Sequence, residues 1–210
     1  MVHVYTYAGS RSLRVVWTLE ELGVEYQCHA LRLDKGEGQT AEHLLRHPDG
    51  KVPVLVDGDV TVFESGAICR YLAAKYGKDG QLMPSDLEGQ AQVDQWLFFV
   101  LTELEQPLWT QAKHTFALPD AQKVPAVIPT AAWEYKRAMG ALERRFNGEG
   151  WLVGDAFSLA DIFLAQTLGW AEKAKHPVPE QFKDYLARCA ARPACARAVA
   201  REEAAAEGAS

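Results

Sequence analysis

Three short stretches carry residue types able to hold and steer an anion. In Phe63-Glu64-Ser65-Gly66-Ala67-Ile68, a Glu-Ser pair closes a β-branched run; Ile68, Tyr71 and Leu72 then open a helical period that Gly77 stops. A serine at a helix start leaves backbone N–H groups pointing out of that end, a setting that binds carboxylate or phosphate. Upstream, Lys51-Val52-Pro53 leads into a hairpin, Val54 to Val56 and Val60 to Phe63, around Asp57-Gly58. An X-Pro bond entering a strand in this way is a candidate cis-proline. Near the N terminus, Tyr7, Ser10 and Ser12 put three hydroxyls at the end of a first strand and in the turn before a first helix. A hydroxyl donor at that position acts on an anion together with the helix dipole. Either serine can instead be an N-cap, and Tyr7 an aromatic wall or core residue.

The elements that must position these groups follow from periodicity. His3 to Tyr7 alternates as a strand, and the helix from Leu13 carries Val15, Val16, Leu19 and Leu22 on one face before Gly23. Tyr26 to Leu33 reads as a second strand, Asp34 to Thr40 as a loop with two glycines, and Ala41 to Arg46 as a short helix stopped by Pro48 and Gly50. The hairpin and a helix from Ser65 to Tyr76 complete the order β-α-β-α-β-β-α, a parallel βαβ unit followed by an antiparallel hairpin, which is the order of a thioredoxin-like domain. Residues 78–86 are a linker by composition, and strand signals then disappear. Leu87 to Lys113 is one long helical stretch with a bend expected at Pro107, Phe116 to Pro129 a proline-rich loop with broken turns, and Thr130 to Phe146 a helix. Ser158 and Asp161 have capping-box spacing at the start of another helix, flanked by a Phe157/Ile162 staple. Glu180 to Ala190 and Pro193 to Ala206 are the last helices, with fraying expected from Ala204. The fold class is therefore α/β plus all-α: a first domain over 1–77, a linker over 78–86 and an all-helical domain over 87–210.

Composition bounds the partners. The 210 residues hold 48% hydrophobic and 24% charged side chains, ordinary for a globular chain large enough to bury a core without staples. Lys and Arg total 22 against 28 Asp and Glu, a net charge of −6 that argues against a nucleic-acid backbone as partner. The start Met-Val-His-Val-Tyr enters a strand pattern directly, without a leader pattern, and no apolar run approaches membrane-spanning length. Cys28, Cys69, Cys189 and Cys195 form no C-x-x-C pair and no zinc-spaced cluster, consistent with small buried thiols in a reducing compartment.

A Lys-Val-Pro entering a hairpin, followed by Glu-Ser-Gly-Ala-Ile and a helix, resembles the glutathione site of the glutathione transferase family. Trp151-Leu152-Val153-Gly154-Asp155 through Ile162 resembles the signature of that family's C-terminal domain, where Asp161 would be a folding residue. Ser10-Arg11-Ser12-Leu13-Arg14-Val15-Val16-Trp17-Thr18-Leu19-Glu20-Glu21-Leu22 is similar to the first helix of the serine-type bacterial and fungal members. The resemblance implies a cytoplasmic transferase that attacks a small hydrophobic electrophile with the glutathione thiolate. It implies no metal and no tightly bound organic cofactor, glutathione being a co-substrate, no membrane partner, and a homodimer. It makes Val52, before the cis-Pro53, the backbone partner of the cysteinyl part; Glu64 and Ser65 would hold the γ-glutamyl end, with Lys51 assisting and Gln39 reaching the glycyl carboxylate. Ser10, then Ser12, then Tyr7 are the candidates for steadying the thiolate.

No cysteine lies between Tyr7 and Leu13, which disfavours the redox and glutathionylating classes of the family. Trp109, Lys113, His114 and Phe116, with Tyr7, are the candidate lining for the electrophile; the four can equally be helix–helix core. A peroxidase, reductase or dehalogenase on the same site, and a binding or regulatory protein of the same fold without activity, are the rival readings.

Overall fold

The computed structural model describes residues 1–209, which form two compact units, 1–87 with 188–209 and 88–187. The first is built on a four-stranded sheet of order β2-β1-β3-β4, with β1 Val2–Thr6, β2 Tyr26–Ala30, β3 Val54–Asp57 and β4 Val60–Phe63. β1 runs parallel to β2, across helix α1 Ser12–Leu22, and antiparallel to β3. β3 turns back into β4 with Asp57 opposite Val60, so the two-residue turn is Gly58-Asp59, one residue later than the sequence suggests. Gly58 has φ of +62°, the left-handed conformation that such a turn demands. The second expected strand stops at Ala30, because the chain tightens into short 3₁₀ turns at Leu33–Lys35 and Glu37–Gln39.

The core of this unit is largely aliphatic. Val4, Leu55, Val15, Val16, Leu19, Ile68 and Leu72 are fully buried, each contributing roughly 1.5–3 kcal/mol from the surface it removes from water. α1 packs on α3 Ser65–Tyr76, and α2 Ala41–Leu44 is a single turn capped by Thr40, whose hydroxyl accepts the His43 N–H. Asp57, at the end of β3, accepts from the Tyr71 and Tyr76 hydroxyls and from Lys75 Nζ at 2.7–2.9 Å. Burial alone would raise its carboxyl, but these donors outweigh it and hold the group below the ordinary carboxylate range.

The second unit is helical. The stretch expected as one long helix divides into α4 Leu87–Phe99, a π-helical turn Val100–Leu104, α5 Glu105–Ala112 and a second π turn Lys113–Ala117. Pro107 has no N–H to offer the carbonyl of Glu103, and the helix changes register in the turn that holds that carbonyl. α6 Ile128–Glu143, α7 Leu159–Lys173 and α8 Gln181–Ala190 follow. The last helix, α9 Pro193–Gly208, was expected within the helical domain and frayed from Ala204; it is helical to Gly208 and packs on α1 and β2 of the first unit.

Asp161 organises the start of α7. Its Oδ2 accepts the N–H and the hydroxyl of Ser158 at 2.9 and 3.0 Å, completing the capping box; its Oδ1 accepts the Leu152 N–H at 2.8 Å and the Tyr185 hydroxyl at 2.9 Å. Burial pushes the carboxyl up and these four donors oppose it. Asp161→Ala leaves several buried donors without an acceptor and is expected to cost about 3–5 kcal/mol. Urea denaturation of the purified variant checks this; a loss below about 1 kcal/mol would contradict the assignment.

Candidate functional site

Strand register gathers the sequence candidates of the first unit. Tyr5 lies opposite Val54 and Val54 opposite Phe63, so the end of β1, the entry to β3 and the exit of β4 share one end of the sheet. That end therefore receives Tyr7 to Ser12, Lys51 to Pro53, and Glu64 with Ser65. The Val52–Pro53 peptide bond is cis. Pro53 is buried, Val52 half-buried, and Glu64 exposed.

Glu64 has φ of +71° and ψ of 116° as the residue before α3, a conformation an L side chain rarely adopts and one that collects at binding sites. Ser65, the first residue of α3, is buried, with its Oγ 3.5 Å from Nη1 of Arg14. Arg14 is fully buried on α1, so one guanidinium ties together the N-terminal ends of two helices. In the sequence Arg14 belongs to the stretch that resembles the first helix of the serine-type members, but no role attaches to it there.

The Lys51 carbonyl, just before the cis bond, accepts from Nε2 of the buried His43 at 2.9 Å, which fixes the neutral ring as the Nε2–H tautomer. Nδ1 of His43 is buried without a hydrogen-bond partner. No periodic signal marks His43, because a one-turn helix is too short to give one. Lys51 itself is exposed and paired with Asp49. Gln39 is exposed beside the same turn: Gly38 and Gly50 meet so closely that a Cβ on Gly50 would lie 2.3 Å from Nε2 of Gln39 and 2.4 Å from the Gly38 carbonyl.

The turn after β1 separates the two serines. Ser10 is half-buried; its Oγ accepts the Ser12 N–H at 3.1 Å and lies 2.8 Å from Ser12 Oγ. Ser12 is the first helical residue, fully buried, with its side chain turned back into the protein. Its Oγ accepts the Tyr7 N–H at 3.2 Å and lies 3.0 Å from the Tyr7 carbonyl and 2.5 Å from Oε1 of Glu202. Tyr7 is 40% exposed and contributes its backbone to this turn. Glu202, on α9, is 3% exposed and also accepts the Gly9 N–H; burial pushes its carboxyl up to about 7, against the pull of Ser12 and Gly9. Nothing in the sequence distinguishes Glu202 from Glu203 and Glu207 of the same helix.

The candidates of the second unit stand apart in character. Trp109 is on α5, and Lys113, His114 and Phe116 are on the π turn that follows. Nδ1 of His114 accepts the Val124 N–H at 3.0 Å, so this ring pins the proline-rich loop, whereas Phe116 is 71% exposed.

Comparison with known proteins decides the family. Residues 1–74 match the model of the glutathione S-transferase N-terminal domain, and residues 106–193 that of the C-terminal domain. The chain belongs to the glutathione S-transferase family. Among curated relatives, glutathione S-transferase F10 of Arabidopsis thaliana is 36% identical over 76% of this chain and 75% of that protein. Glutathione S-transferase 1 of Schizosaccharomyces pombe is 34% identical over 73% and 68%. Among solved structures, the glutathione transferase URE2P6 of Phanerochaete chrysosporium, in complex with oxidized glutathione, superposes with a TM-score of 0.84 at 28% identity, covering 97% of each chain. A glutathione transferase of Methylococcus capsulatus gives 0.84 at 29% identity over 97% of this chain and 99% of that one.

The Glu202 carboxyl makes stability depend on pH. Its folded value, about 7, lies above its ordinary value of 4.5, so the folded chain binds the extra proton between those limits. The stabilisation is full below 4.5 and is lost as pH rises to 7. Glu202→Gln cannot titrate. Relative to wild type it should gain roughly 2–3 kcal/mol in stability between pH 4 and pH 8, read as a difference of urea denaturation curves. A pH-independent difference would show that Glu202 titrates normally.

Proposed function

We propose that this chain is an enzyme that binds glutathione as co-substrate and joins its sulfur to a small hydrophobic electrophile. The observation that carries the reading is the convergence of the Ser10 turn, the cis Val52–Pro53 bond and the Glu64–Ser65 helix head at one end of one sheet. Relatives named glutathione S-transferases, and a similar protein solved with oxidized glutathione, support it.

An extended tripeptide fits beside a backbone that offers N–H and C=O groups, as Val52 would, in the manner of an added strand. Glu64 supplies a carboxylate for the γ-glutamyl ammonium. Ser65 supplies a hydroxyl and a helix N-terminus for the α-carboxylate. Lys51 and Gln39 flank the turn where the glycyl carboxylate would end. A free thiol titrates near ~8.5, so the site must favour the thiolate, each unit of lowering needing about 1.4 kcal/mol. Ser10 is the better placed of the two serines, because the Ser12 hydroxyl is buried and engaged. In the reaction the sulfur lends an electron pair to an electrophilic carbon, and a leaving group departs with the pair from the broken bond. Tyr7, exposed beside the Ser10 turn, is the candidate for contact with the electrophile's apolar part. A cytoplasmic homodimer belongs to the same reading, and a solution mass of one chain at micromolar concentration would remove the dimer from it.

Glu64→Ala should weaken glutathione binding about tenfold or more by calorimetry, through loss of a charge-assisted contact. Unchanged affinity would refute the γ-glutamyl assignment. Ser10→Ala should leave affinity within a few-fold, lower kcat/KM, and raise the apparent thiol pKa by about one to two units, followed by thiolate absorbance of the bound complex. If Ser12→Ala or Tyr7→Phe moves that pKa and Ser10→Ala does not, the assignment passes to the other hydroxyl.

A further inference from the structure

Glu202, Ser12 and Ser10 form a chain of hydrogen-bonding groups leading from α9 to the half-buried end of the serine turn, with steps of 2.5 and 2.8 Å. We propose that Glu202 is a positioning residue that sets which way the Ser10 hydroxyl points: protonated, it frees Ser10 to donate to the glutathione thiolate; ionised, it draws the Ser10 proton inward. This rests on the transferase reading given above and names the group that regulates its donor.

The argument is a count of protons and lone pairs. A serine hydroxyl has one proton to give and room to accept two. The Tyr7 N–H occupies one acceptor position of Ser12 in both states. When Glu202 is a carboxylate, Ser12 gives it its proton in a charge-assisted bond, and the remaining acceptor position of Ser12 takes the proton of Ser10. Ser12 then competes with the ligand for the single Ser10 proton. When Glu202 is a carboxylic acid, its own O–H fills that acceptor position. Ser12 turns its proton toward the Tyr7 carbonyl or Ser10 Oγ, both within 3.0 Å, and the Ser10 proton must point away from Ser12. The Ser12 N–H stays on Ser10 Oγ throughout. No heavy atom has to move, and only hydroxyl protons reorient.

The surroundings suit a carboxyl that titrates near neutrality. Burial favours its acid form, and the groups that oppose burial are the Ser12 hydroxyl and the Gly9 N–H. On β2, the Cys28 thiol is pushed up by burial, opposed by the Thr6 hydroxyl, with the Glu202 charge adding to the rise. Tyr26 of the same strand donates to Glu20. On α9 itself, Arg197 and Arg201 turn to Glu20, and Arg192, just before the helix, pairs with Glu21. On α1, Arg14 reaches Ser65, while Arg11 stands at the head of the helix.

The test compares wild type, Glu202→Gln, Ser12→Ala and Ser10→Ala, each as the full chain. In Glu202→Gln the amide oxygen can accept the Gly9 N–H, leaving the amide N–H₂ to face Ser12, a permanent copy of the acid form. In Ser12→Ala the chain is cut and Ser10 no longer answers to Glu202. For each, the affinity for glutathione, the thiolate absorbance of the complex, and kcat/KM with an aryl halide are followed from pH 5.5 to 9 (a range of roughly two units about neutrality). The proposal expects wild-type kcat/KM, corrected for the fraction of thiolate, to fall about tenfold as pH passes from about 6 to above 8, the worth of one charge-assisted hydrogen bond. That fall should be absent in Glu202→Gln, in Ser12→Ala and in Ser10→Ala. Infrared difference spectra should show a protonated-carboxyl band that grows when glutathione binds near pH 7 and is missing in Glu202→Gln. A Glu202→Gln curve that superimposes on wild type, while Ser10→Ala still shifts the thiol, overturns the proposal and leaves the transferase reading standing. Should Glu202→Gln fail to fold, a Ser12→Ala profile that keeps the wild-type fall overturns it equally. Absence of glutathione binding in wild type overturns the transferase reading, and the proposal with it.

Discussion

The antiparallel register of β1 on β3 is the constraint on which the candidate site depends. With Tyr5 opposite Val54, Pro53 and the exit of β4 arrive beside the end of β1. A slip of one residue would turn every β3 side chain to the other face of the sheet. Fully buried Val54 would then take the place of Leu55, and fully buried Leu55 that of half-buried Val56. The far end of β3 is held as well, because Asp57 takes donors from three residues of α3. One short strand thus fixes the Val52–Pro53 turn at its start and the helix that begins with Ser65 at its finish.

The helix heads need a separate tie. α1 and α3 both start at this end of the sheet, and their N-terminal N–H groups attract negative charge. Arg14 joins them from within, through Ser65. A guanidinium with no exposed surface carries a desolvation cost that only good geometry offsets, so its place among buried Val, Leu and Ile marks a position held for something other than packing. His43 plays the corresponding part for the Lys51 carbonyl, using one ring nitrogen and leaving the other dry.

The sequence discloses those parts of this arrangement whose causes are local. The turn about Gly58, the Ser65 helix start and the Ser158–Asp161 box each depend on residues a few positions apart, and each is legible before any coordinates. The break in the long helix was placed at Pro107 yet falls in the preceding turn, because a proline disturbs the carbonyl four residues before it rather than its own position. Ser12 has local partners in Tyr7 and Ser10, but its carboxylate partner is 190 residues away on α9, and no window along the chain contains both. The same distance hid the persistence of α9: a run of alanine and glutamate reads as a fraying tail until it has a surface to pack on.

That packing and the electrostatics of the serine turn have one cause. Ala194, Ala198 and Glu202 recur every four residues on the buried side of α9, so they lie on one stripe of the helix. Two of the three are alanines, whose small side chains let a helix approach its neighbour closely. Close approach strips water from the third position, and a carboxyl without water holds its proton to higher pH. The donors available to it come from the backbone of Gly9 and from Ser12, both in the turn after β1. A bulkier stripe would hold α9 farther off, admit water and return Glu202 to an ordinary surface acid. The titration behaviour of this group is therefore a property of the helix contact and not of the glutamate alone, which is why two methyl side chains on the last helix bear on the chemistry of a serine at the other end of the chain.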